Sequence, residues 1–193
     1  IQVIFSENLK AQRNMSFGAS IINSSDPFKI NVFIENLGQF NSWVVSKDPV
    51  KYAIDKSDRI FFTEKGIVFR LDKTERQNEE EREKNGKGSE SLAGIDTFFV
   101  SLNWEGCNPN SVIEVSDESQ NYYTFGEKGY ENIKAKGYKK LTYKNLYNGI
   151  DVEYTIPVNE DSFGEKGGIK YSLILHPGAD LSNVKMSYSG DVL

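Results

Sequence analysis

Tyr138–Lys139–Lys140–Leu141–Thr142–Tyr143–Lys144–Asn145–Leu146–Tyr147–Asn148–Gly149–Ile150–Asp151–Val152–Glu153–Tyr154 carries the clearest architectural signal in the chain. It holds two strand-like runs parted by Asn148–Gly149, a pair that favours a tight chain reversal. Ile169–Lys170–Tyr171–Ser172–Leu173–Ile174–Leu175 is a third run, and the turn sequence His176–Pro177–Gly178–Ala179–Asp180 closes it. Apolar and polar positions take turns along these runs, as strands with one packed face require.

The same pattern extends outward. Phe28–Lys29–Ile30–Asn31–Val32–Phe33–Ile34 has β-branched residues and partial period-2 character, with a turn expected at Gly38. Trp43–Val44–Val45 and Val50–Lys51–Tyr52–Ala53–Ile54 read as short strands. Arg59–Ile60–Phe61–Phe62–Thr63 and Ile67–Val68–Phe69–Arg70–Leu71 flank Glu64–Lys65–Gly66 and predict a hairpin, with Gly66 expected to supply a positive φ. Strands are also expected at Thr97–Trp104, Val112–Val115 and Val184–Tyr188, with a turn over Glu105–Asn110, and Asn121–Gly126 begins a tyrosine-rich half. No long stretch shows a 3.6-residue period. Many short strands with Gly and Asn turns predict an all-β fold, either a two-sheet β-sandwich or an open β-barrel.

Composition narrows the function classes. The 193 residues suffice for one substantial domain, and a hydrophobic content of 38% supports a real core. A formal net charge of −5 argues against nucleic acid and against a polybasic membrane contact. No run of 18 apolar residues is present, so no transmembrane helix and no membrane insertion is expected. A single cysteine, Cys107, permits no intrachain disulfide and leaves the compartment open.

Residues 1–27 are set apart as an N-terminal extension, either an ordinary first strand or the remnant of a signal peptide ending near Ala11. A chain opening on Ile1 and stopping at Leu193 is expected to be a piece of a longer protein. Residues 28–193 are read as one β-rich domain. Within it, residues 72–91 are crowded with charge and lack apolar residues, so a solvated, mobile loop is expected there, with a short charged helix as the rival.

Few residues invite chemistry. His176 is the only histidine and sits in a turn, which favours a surface role over a Ser-His-Asp or Cys-His site. Cys107 reads as a small packing residue. Asp151 and Glu153 share a strand face; two carboxylates could hydrolyse a glycoside, but the polar face of an amphipathic strand is the favoured reading. Asp180 caps a loop, and no calcium-loop pattern surrounds it. Gly164, Gly167 and Gly168 lack the setting of a phosphate loop and read as a hairpin tip. Nine of ten tyrosines lie from Tyr122 onward. Exposed rings there would stack on sugars, while packed rings would simply build the sheet. No catalytic, cofactor-binding or metal-binding residue is assigned.

Six segments in order carry a resemblance: Phe33–Phe40, Ile60–Phe69, Asn108–Asn110, Asn121–Gly126, Tyr143–Val152 and Leu175–Asp180. Together they resemble the N-terminal β-rich domain of large secreted proteins of Bacteroidota and some other bacteria. In that family the domain precedes β-propeller-like or β-sandwich repeats, and many members end in a gliding-motility-associated sorting domain exported by the type IX secretion system. The family has no established catalytic residues. It usually has a small residue where Cys107 stands, which supports the packing reading. Here the 72–91 loop is longer, Tyr171–Ser172–Leu173 replaces a Tyr-Asp-Phe-like strand, and Glu127–Lys128–Gly129–Tyr130 replaces Asn-Asp-Pro-Ser.

The resemblance implies a non-catalytic structural or adhesive module of a secreted, cell-surface protein, linked to adhesion or gliding motility. Its partners would be other domains of the same chain, cell-surface or secretion-machinery proteins, or glycans. A carbohydrate-binding module using exposed tyrosines is the alternative, and a glycoside-hydrolase-like domain the weaker one.

Overall fold

The structure, a computed structural model, describes residues 31–56, 59–74, 95–126, 128–157 and 168–191. Its strands are β1 (Phe33–Glu35), β2 (Val50–Ile54), β3 (Arg59–Thr63), β4 (Gly66–Thr74), β5 (Ile95–Glu105), β6 (Val112–Tyr123), β7 (Ala135–Tyr147), β8 (Ile150–Thr155), β9 (Lys170–Leu175) and β10 (Lys185–Gly190). Among the described residues the only helical turn is a single 3-10 turn at Leu181–Asn183. The fold is all-β, one antiparallel sheet curled into a half-barrel. No helix of the described residues is long and apolar enough to cross a membrane.

The curl originates at β7. β6 pairs with β7 from Ala135 to Lys144 and occupies one edge. The other edge is shared: β1 pairs at Gly137 and Tyr138, while β8 pairs from Lys140 to Tyr147. Two branches therefore leave the same edge of one long strand. One runs β1–β2–β3–β4–β5–β10 and the other β8–β9. They fold over each other because each presents an apolar face that water disfavours.

The main core lies between the branches. Phe62 of β3 meets Tyr154 of β8 edge to face at 5.3 Å, and Trp104 of β5 meets Tyr171 of β9 at 5.8 Å. Phe33, Ile67, Leu102, Leu141 and Val152 fill the space around them, all nearly or fully buried. At the far ends of the branches, the Tyr171 hydroxyl reaches Met186 of β10. A second cluster covers the opposite face of β1–β4, where Phe40 packs on Phe61 and Phe125.

Tyr143 ties the branches with polar bonds as well. Its buried hydroxyl lies 2.6 Å from the Thr63 carbonyl oxygen and 3.0 Å from that of Gly66, so β7 clamps the β3–β4 turn from inside. These carbonyls point into the core, away from water, and a buried carbonyl without a donor is costly.

Several expectations are corrected. Trp43–Val45 forms no strand: the Arg70 guanidinium donates to the Trp43 carbonyl at 3.0 Å, and Arg59 lies over the indole at 4.7 Å. Side-chain docking, rather than ladder pairing, holds that segment. Gly66 does not adopt a positive φ. Glycine is required there by space, since a Cβ would lie 2.1 Å from the Leu102 carbonyl oxygen. Residues 72–74 extend β4 instead of opening the charged loop, because Asp72 is held by Arg70 and Thr97. The short strand expected at Val112–Val115 runs on to Tyr123 as one long strand, β6, bent by a bulge between Glu118 and Tyr122. Glu105 belongs to β5 and not to the following turn. The N-terminal extension, the remainder of the charged segment and the tip at Gly164 and Gly167 lie outside the described residues.

Removing the Tyr143 hydroxyl by Tyr143→Phe is expected to cost about 1–3 kcal/mol, because the buried Thr63 carbonyl loses this donor and that of Gly66 keeps only the Thr63 hydroxyl; urea denaturation measures it. Gly66→Ala should cost more, since the obstacle is backbone of β5 that cannot rotate away. Equal stability of Gly66→Ala and wild type would contradict the close β4–β5 approach.

Candidate functional site

The β7–β8 hairpin carries the polar cluster most capable of chemistry. Between the pairs Tyr143–Val152 and Tyr147–Ile150 the register shifts, so Lys144, Asn145 and Leu146 stand opposite the single residue Asp151. Asn145 sits at φ 51°, a left-handed conformation that Asn tolerates better than most residues. The bulge removes the Asn145 N–H from the ladder and turns it toward the Asp151 side chain, whose Oδ1 accepts it at 2.7 Å.

Asp151 gathers two further partners. Lys144 Nζ contacts Oδ2, and His176 Nε2 lies 3.0 Å from the same oxygen. An ionised carboxylate only accepts, so the imidazole nitrogen facing it carries the proton. His176 is positioned by its backbone, whose N–H donates to Gly149 O at 2.9 Å and whose carbonyl accepts from Ala179 N at 3.0 Å. Gly149 is left-handed at φ 72°, and the Ala179 methyl lies 3.3 Å from where its Cβ would be. The Asn-Gly and Pro-Gly turns thus pack against each other.

The Asp151 side chain is only 3% exposed. Burial pushes its pKa up and is the largest single influence. The Asn145 N–H, Lys144 and His176 together outweigh it and bring the value down to about 2. The bond to Asp151 in turn raises the Lys144 ammonium. The result is a closed ion pair: the ammonium is no nucleophile while protonated, and the carboxylate is no proton donor near neutral pH. A glycosidase acid needs the opposite shift.

This corrects two readings. Asp151 is not part of a solvated strand face; it fills the gap left by the bulge. His176 is a half-exposed turn residue, as its setting suggests, yet its ring is engaged with a buried carboxylate. The pairing of Asp151 with Glu153 brings no paired-acid site, because Glu153 stands opposite Thr142 and Ser172 and takes no part in the cluster. Asp180 caps the 3-10 turn, where hydrogen bonds from Ser182 hold its carboxyl below the ordinary range. Cys107 packs against the core, and burial pushes its thiol up. No group of three or more His, Cys, Asp or Glu able to hold a metal is present among the described residues. Among the tyrosines, Tyr143 and Tyr154 are fully buried and Tyr122 and Tyr188 are exposed.

A cleft of about 530 Å³ opens beside this hairpin. It is lined by Glu105 at the end of β5, Asn108, Tyr147 and Asn148 at the hairpin tip, Asn183 and Lys185. The Tyr147 hydroxyl braces its floor, 2.8 Å from Glu105 O and 2.9 Å from Lys185 O. Asn108 braces a wall: its Nδ2 donates to Asn145 O at 3.0 Å and its N–H to Leu146 O at 2.8 Å. This cleft is not visible in the sequence, because its residues come from three segments far apart in the chain. None of Asp151, Lys144 and His176 lines it.

The family model described as Domain of unknown function (DUF7948) matches residues 33–192. The chain belongs to this family. No curated protein matches the chain, and no solved structure does. In this DUF7948 domain the matched residues begin at β1 and take in every described strand.

Asp151→Asn is expected to cost about 2 kcal/mol at neutral pH, the equivalent of its pKa shift. The sign follows from linkage: a carboxyl lowered from 3.8 to about 2 stabilises the fold above 3.8, and that stability drains away as pH falls toward 2. Urea denaturation across this window should show a shallower pH slope in the variant. Identical slopes would remove Asp151 as the titrating group.

Proposed function

We propose that this domain is a non-catalytic structural and adhesive module of a large secreted protein at the bacterial cell surface, serving adhesion or gliding motility. The observation that carries the non-catalytic part is the fate of the reactive residues. Asp151, Lys144 and His176 satisfy one another and the bulge, and stand outside the cleft. The secreted and cell-surface part rests on the resemblance of the six ordered segments to N-terminal domains of type IX-exported Bacteroidota proteins. A rigid curled sheet fits such a role: it holds loops and faces in fixed positions for neighbouring domains of the same chain, for surface proteins or for glycans.

A carbohydrate-binding role through a tyrosine face has less support, because the rings that would form it are divided between core and surface. Tyr122 and Tyr188 are the exposed pair on which that reading would stand.

The test is made on cells that produce the parent chain. Antibody raised against residues 33–192 should label intact cells, and deleting those residues should lower surface attachment or gliding speed without changing secretion of the rest. Labelling seen only after lysis would overturn the surface assignment.

A further inference from the structure

We infer that the cleft between β5, the β7–β8 turn and the start of β10 binds a neutral saccharide unit. Its frame is fixed before any ligand arrives. The Tyr147 hydroxyl holds β5 and β10 together at the floor, accepting from Lys185 N at 3.3 Å besides facing the two carbonyls. Asn108 uses its side chain within the protein, donating to Asn145 O and accepting from Asn110 N at 2.9 Å. Such preorganisation lowers the ordering cost of binding.

On this frame stand three side chains with hydrogen-bonding capacity to offer. Glu105 and Lys185 are directly opposite each other across β5 and β10, yet form no ion pair with each other or with another described residue. The exposed carboxamide of Asn148 likewise makes no hydrogen bond to the side chain of a described residue. Together they present a carboxylate acceptor, an ammonium donor, and an amide that is both. Adjacent sugar hydroxyls, each donor and acceptor, match this set. One negative and one positive side chain leave no net charge at the cleft, which favours an uncharged ligand over a phosphate or a polyamine. The volume, about 530 Å³, is within the span of small-ligand sites.

This inference rests on the non-catalytic, adhesive reading and gives that adhesion a chemical target. The test is a titration of the isotope-labelled domain, followed by two-dimensional NMR, with glucose, galactose, mannose, N-acetylglucosamine and cellobiose. Saturable shifts at Asn148, Glu105 and Lys185 with at least one sugar are expected. Glu105→Gln and Asn148→Ala, both at exposed positions, should each weaken that binding about tenfold with an unchanged melting curve. No saturable shift with any of these sugars, shifts confined to Tyr122 and Tyr188, or a stronger response to the zwitterion glycine would overturn the cleft as a saccharide site. New product signals from cellobiose in the same spectra would overturn the non-catalytic reading while leaving the cleft in place.

Discussion

One strand edge carries the architecture. The far side of β7 is divided between β1 and β8, and a single edge cannot serve two partners unless they lie end to end. Each partner then leads its own branch, and the branches must diverge. Their apolar faces meet again as the half-barrel core, with Tyr143 fastening β7 to the β3–β4 turn inside it. Hydrophobic burial supplies the drive, but the shared edge decides its direction.

The same strand creates the polar cluster. β7 reaches from β1 to the hairpin tip, and near its end the ladder with β8 slips by two residues. A slip leaves an orphan N–H, and Asp151 answers it. Lys144 and His176 then compensate the charge that burial would otherwise penalise. The cluster thus satisfies a backbone irregularity and balances a buried charge. The distinction is electrostatic: three donors around one carboxylate lower its pKa, whereas a catalytic acid is kept protonated by apolar surroundings.

The opposite face follows a different logic. Arg59, Arg70, Asp72 and Thr97 form a ladder across β3, β4 and β5, with Arg59–Asp72 at 3.2 Å and Arg70–Asp72 at 2.9 Å. This ladder orders the loop through Trp43, whose ring closes the second cluster with Phe40 and Phe125. Residues that resemble a short strand in sequence are drawn instead into side-chain contacts, because both guanidinium groups find their best partners there.

The all-β character, the β3–β4 and β7–β8 hairpins and the turn at Gly149 were legible in sequence, because they depend on period-2 alternation and on residues that tolerate sharp reversals within a few positions. The cleft, the buried state of Asp151 and the docking of Trp43 were not: the cleft and Trp43 join segments far apart in the chain, and Asp151 is buried by a register shift within its own hairpin that alternation does not announce. Gly66 shows the boundary well. Local sequence suggested a turn glycine, whereas its need comes from the Leu102 carbonyl on a neighbouring strand. Alternation and turn residues within the chain mark most of the extended segments and their reversals, though not the fate of Trp43–Val45 or the reach of β4 to Thr74. Which edge each strand shares emerges in the folded sheet alone, because pairing choice is settled by burial and hydrogen bonding summed over all the strands.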